Sequence, residues 1–166
     1  MNSRFRLGGF FNVKCFKNYE KKNLLWQQRF HNLVVDEALI AIIADYFSGS
    51  WYIGLKGSIE APAAGWTSAS IGVDFTELEA YSELTRELWD KGAISTKNPS
   101  NSATPAEFNI VAPGGTFYGA FIIDDNTKGG DTGQLWCVSD ALASQAVAAG
   151  NIIQIVYTLT SQDISE

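Results

Sequence analysis

Ile152-Ile153-Gln154-Ile155-Val156-Tyr157-Thr158-Leu159-Thr160 alternates along its length, with Ile153, Ile155, Tyr157 and Leu159 on one face and Gln154, Thr158 and Thr160 on the other. A period of two residues is that of a half-buried β-strand, because successive side chains point to opposite sides of a sheet. Shorter apolar segments recur upstream at residues 51–56, 75–81, 108–111, 117–123 and 134–139. Turn signals separate them: Pro62-Ala63-Ala64-Gly65, Asn98-Pro99-Ser100-Asn101, Pro113-Gly114-Gly115 and Lys128-Gly129-Gly130-Asp131. Several short strands with little helical pattern between them predict a mainly β protein, an antiparallel sandwich or barrel.

Two stretches before this region read differently. Val35, Leu39, Ile42, Ile43, Tyr46 and Phe47 recur at helical spacing, with Asp36 and Glu37 in the first turn and Ser48-Gly49-Ser50 as the stop. A helix over about 34–47 follows, covering one side of the β core. Earlier still, Phe11, Val13 and Cys15 share one parity and Asn12 and Lys14 the other, while Leu24, Trp26 and Phe30 line one face of a second run. Residues 9–31 are predicted to form a β-hairpin with an exposed basic turn over 18–23. Residues 76–89 fit both a helical face and an alternation. A strand through about Tyr81 is preferred, leaving 82–89 as a turn or short helix.

Charge is sorted along the chain. The first 32 residues hold Arg4, Arg6, Lys14, Lys17, Lys21, Lys22 and Arg29 against Glu20, a net +6. The remaining 134 hold 5 basic and 17 acidic side chains, a net −12, which gives the overall −6. Such a split predicts an arm, residues 1–32, that docks on something acidic, attached to a body, residues 33–166, that keeps the assembly soluble. Nucleic acid is a poor partner despite the aromatic residues interleaved in the arm, because the acidic body repels a long polyanion.

Composition sets further bounds. A hydrophobic content of 46% is too high for a disordered chain, and no apolar run approaches the roughly 18 residues of a membrane span, so no membrane partner is expected. The opening residues lack the continuous apolar stretch of a secretion signal, because Gly8, Gly9, Asn12 and Lys14 interrupt it.

Converging catalytic groups are not evident. His31, the one histidine, sits beside Phe30 and Asn32 at a strand end and reads as structural or solvated. Cys15 and Cys137 lie far apart in strand-like contexts and read as two buried thiols, a disulfide being the alternative. These residues supply no zinc-ligand spacing, and neither a phosphate loop nor a nucleophile elbow occurs. Asp124-Asp125-Asn126 with Gly129-Gly130-Asp131 offers oxygen ligands but not EF-hand spacing, so it reads as a hairpin loop. Glu77 and Glu79 share a strand face and read as solvated charges for want of a partner across a cleft. A non-enzyme without metal or cofactor is expected. Trp26, Trp51, Trp89 and Trp136 suit core or inter-subunit packing. Trp66, between Gly65 and Thr67, is the candidate for an exposed sugar-stacking platform.

The order of several segments resembles a family of small structural proteins of tailed bacteriophages. They are Asn32-Leu33-Val34-Val35-Asp36-Glu37, Trp51-Tyr52-Ile53-Gly54-Leu55-Lys56-Gly57, Ala64-Gly65-Trp66-Thr67, Tyr81-Ser82-Glu83-Leu84-Thr85-Arg86 with Trp89, Ser102-Ala103 before Phe108-Asn109-Ile110, Tyr118-Gly119-Ala120-Phe121, and Tyr157-Thr158-Leu159-Thr160. The chain departs from that pattern at Ala38, where Gly is expected, and at Glu87, where Pro is expected. The resemblance implies a virion component, a cement or decoration protein with a jelly-roll-like β-sandwich body. Such a protein is made in the host cytoplasm, binds the major capsid protein on the outer head surface, and associates as a homodimer or homotrimer. On this reading Arg4, Arg6, Phe10, Phe11, Lys14, Lys17, Lys21, Lys22 and Arg29 form the capsid-binding arm. The alternative is a tail-associated or fibre-like protein that binds host glycans through Trp66.

Overall fold

The computed structural model describes residues 5–7, 9–16, 24–32, 35–140 and 143–163. The fold is mainly β, with antiparallel pairing dominant and one α-helix among the described residues. Four strands form the central open sheet. They are β4 (Tyr52–Lys56), β5 (Glu87–Leu88), β8 (Gly119–Ile123) and β9 (Leu135–Val138), in the order β5-β4-β8-β9. The other strands pair two by two. β6 (Ala106–Asn109) lies antiparallel to β11 (Ile152–Ile155), and β7 (Gly115–Phe117) to β10 (Gln145–Val147). β2 (Gly9–Phe16) lies antiparallel to β3 (Leu24–Asn32), and β1 (Phe5–Leu7) runs parallel to β12 (Ser161–Asp163).

The central sheet is covered on both faces, which explains the unbroken apolar run Phe121-Ile122-Ile123. Ile53, Leu55 and Ile122 enter the main core with Ile43, Phe47, Trp89, Phe108, Ile110 and Leu159. Phe121 and Ile123 turn to the opposite side, where Ile71 and Phe75 cover them. Gly54 is required here, because the Phe121 ring from the neighbouring strand lies where a Cβ would stand.

Helix α1 (Asp36–Tyr46) falls within the predicted 34–47 and inserts Leu39, Ile43 and, just past its end, Phe47. Val35, Ile42 and Tyr46 stay substantially exposed, so the buried stripe is narrower than the apolar pattern. The alternation of residues 152–160 persists after β11 ends at Ile155: Ile153, Ile155, Tyr157 and Leu159 pack into the core, while Gln154, Thr158 and Thr160 are exposed. Asn101 replaces a strand partner there. Its buried amide donates to Ile155 O at 3.1 Å and accepts from Tyr157 N at 2.8 Å, so the turn that holds it closes the β11 end.

Three expectations need correction. Residues 75–81 are extended but form no regular strand, because the segment changes partners midway. Gly57 N donates to Thr76 O and Leu78 N to Leu55 O at the end of β4, whereas Ser82 N donates to Asn109 O and Val111 N to Ala80 O at the end of β6. Residues 82–89 are neither simply a turn nor a helix, since Glu87 and Leu88 pair with Ile53 and Tyr52. Both cysteines are free thiols and half-buried, not fully buried.

Candidate functional site

The described side chains of the β2–β3 ribbon are exposed, except Cys15, which is half-buried. In its register Asn12 faces Arg29, Lys14 faces Gln27 and Cys15 faces Trp26, with an irregularity between Cys15 and Phe16. Residues directly opposite share a face, so Lys14 and Arg29 stand on one side and Trp26 on the other. Side chains 24–29 are all exposed, Leu24 at 50%, Leu25 at 58% and Trp26 at 49%. Asn12 and Lys14 are exposed as well. Among the described residues neither strand pairs with any other strand. A two-stranded ribbon is marginal in water by itself, and here apolar side chains are left in solvent on both faces, Leu24 and Trp26 on one and Leu25 on the other.

Of the arm residues expected to bind, Lys14 and Arg29 are brought together on this ribbon. Arg6 lies in β1 and Phe10 and Phe11 in β2, where Phe10 stands opposite His31 and Phe11 opposite Phe30. Arg4, Lys17, Lys21 and Lys22, and with them the expected basic turn, lie outside the described residues.

Trp66 is half-buried. One face of its indole stacks on Phe75 with ring centroids 5.0 Å apart and planes 20° from parallel. The other side borders a cavity of about 160 Å³ lined by Pro62, Ala63, Ala64, Leu135, Trp136, Cys137 and Val138. The lining side chains are mostly apolar, but the surface they and their backbone expose to the cavity is polar and apolar in about equal parts.

Glu77 is not a solvated charge: its side chain is 1% exposed and is paired with the fully buried Arg86. Arg86 Nε and Nη2 donate to the Glu77 carboxylate, Nη2 at 2.8 Å, and the guanidinium also donates to two backbone carbonyls, Nη1 to Asp125 O at 3.0 Å and Nη2 to Gly130 O at 2.6 Å. Glu77 accepts further bonds from Gly129 N at 2.9 Å and from the Tyr81 hydroxyl at 3.2 Å. Gly129, at φ +71°, passes against the Glu79 carboxylate in a conformation that other residues rarely adopt. The loop that offered calcium-like ligands therefore wraps a guanidinium, and its carbonyls already face a cation. No group of three or more His, Cys, Asp or Glu suited to hold a metal occurs among the described residues. Sequence reasoning missed this clamp. Arg86 stands among Glu83, Thr85, Glu87 and Asp90, so nothing local sets it apart from a surface charge.

Burial pushes the Cys137 thiol up to about 11, a hydrogen bond from Tyr157 partly opposing it. Burial, then the Glu77 charge, raises the Tyr81 hydroxyl, and burial raises that of Tyr157. In each case the unfolded chain gives up its proton first. Stability from these groups is complete below the ordinary thiol value and falls as pH rises, for Cys137 between about 9 and about 11. In a Cys15→Ser background, urea unfolding should show this alkaline loss, and adding Cys137→Ser should flatten it in that window. Identical pH profiles would refute the assignment.

Comparison of the chain with family models, curated proteins and solved structures finds no match. No helix among the described residues is long and apolar enough to cross a membrane.

Proposed function

We propose that the chain is a non-catalytic cement or decoration protein of a bacteriophage head, anchored to the assembled shell by its basic N-terminal arm. The observation that carries this reading is the β2–β3 ribbon, exposed on both faces, basic on one and carrying Trp26 on the other. The ordered resemblance to small phage structural proteins supports it. The finer fold reading, a jelly-roll-like sandwich, draws on the main core shared by the central sheet and the β6–β11 pair.

Binding only the assembled head stabilises that state by mass action, and it needs no chemistry beyond contacts across subunit seams. The ribbon can add main-chain hydrogen bonds to an exposed strand edge while its Lys and Arg side chains steer the approach. Deleting residues 1–32 should weaken binding to purified heads by about a hundredfold or more, equivalent to roughly 3 kcal/mol. The body should keep its circular dichroism spectrum and cooperative transition. Unchanged occupancy of the heads would reject the arm as the anchor. The glycan-binding alternative rests on the half-buried Trp66 alone, and a glycan screen with Trp66→Ala as control separates the two readings.

A further inference from the structure

We infer that the polar face of the β2–β3 ribbon docks on the acidic outer face of the β6–β11 pair in a second copy of this chain. This association requires no shell, and it uses the same Lys14 and Arg29 face that the head-binding reading assigns to the shell, so the two compete for the ribbon. It gives an occupant to the ribbon face that carries Lys14 and Arg29.

Charge complementarity is built into the single chain, with a net +6 in residues 1–32 and −12 in the remainder. The receiving surface is specific. Glu107 and Asn109 of β6 stand opposite Gln154 and Ile152 of β11, and all four are exposed, so this two-stranded sheet has an uncovered outer face. Glu83 joins that face by accepting from Asn109 N and Nδ2, the latter at 2.6 Å. Glu87 lies close enough to feel both other carboxylates. Desolvation first, then the charges of Glu83 and Glu107, raise its protonation above the ordinary carboxylate range. An incoming cation relieves that repulsion.

Apolar surface accompanies charge on both sides. Leu84 is 93% exposed beside Glu83, and Ile152 is 60% exposed on the same sheet face. On the ribbon, Leu25 is 58% exposed and has the parity of Gln27 and Arg29, so it shares the face of Lys14 and Arg29. Each patch thus couples exposed aliphatic side chains to a charge of the sign the other lacks. Contact between them removes both from water and pairs the charges across the seam.

Charge reversal tests this directly. One variant carries Lys14→Glu and Arg29→Glu, and a second carries Glu87→Lys and Glu107→Lys. Light scattering after size exclusion at low salt should give a mass above 18.1 kDa for the parent chain and a single-chain mass for either variant alone. Mixed in equal amounts, the variants should associate again, because each supplies the charge the other lost. Raising ionic strength should weaken the parent association by about tenfold or more, since exposed charges are screened. Circular dichroism confirms that both variants are folded. Self-association of either variant at the parent level, or a mixture that stays single-chain, overturns the inference. Head binding by the parent is measured separately, so its failure leaves this result standing.

Discussion

Replacing Arg86 with Met should cost about 3–5 kcal/mol of folding stability, the effect of stranding one member of a buried ion pair. The guanidinium satisfies Glu77 and two loop carbonyls at once, and its carbon lies 5.1 Å from the centre of the Phe121 ring. Met fills part of the volume but leaves a buried carboxylate, Asp125 O and Gly130 O without that donor. At typical urea sensitivities the midpoint should fall by on the order of 2 M with little change of slope. Arg86→Met combined with Glu77→Leu should recover much of the loss, because the uncompensated charge is then gone. A single substitution that costs less than about 1 kcal/mol would show that water or a rearranged loop replaces the clamp.

Trp89→Ala should be as damaging, at about 3–5 kcal/mol, for a different reason. Trp89 has no solvent exposure, packs edge-on against Phe47 at 5.2 Å and Tyr157 at 5.2 Å, and donates from Nε1 to Tyr157 O at 3.1 Å. Truncation opens a cavity at the centre of the aromatic cluster and removes the donor to a backbone carbonyl. Trp89→Phe should lose roughly half as much, since most of the ring contacts survive while the hydrogen bond does not. Chemical unfolding followed by circular dichroism checks both, and equal losses for Ala and Phe would show that the hydrogen bond, not volume, dominates.

The sequence made those elements legible whose partners impose one simple period. The 152–160 alternation is visible because one face meets the core and the other meets water over its whole length. Helix α1 is visible for the same reason at helical spacing, although Ile42 shows that an apolar position need not be buried. The pairing of β2 with β3 could be anticipated from two alternating runs on either side of a polar stretch, but not its register. Residues 75–81 misled because their alternation serves two different sheets in turn, and no local pattern records a change of partner. Glu77 misled more deeply: a carboxylate in sequence carries no sign of the guanidinium nine residues away that folds back to meet it. The short β5 and β10 escaped because strands of two or three residues leave too little periodicity to read.

The segment that changes partners has a mechanical meaning. Because its backbone bonds to β4 at one end and to β6 at the other, it straps the central sheet to the β6–β11 pair by main-chain bonds as well as by packing. Moving one sheet relative to the other would break that strap and pull Glu77 away from the Arg86 clamp. The two sheets are therefore coupled through the backbone. Load applied to one is carried into the other, and the body either holds as one stiff piece or opens as a whole.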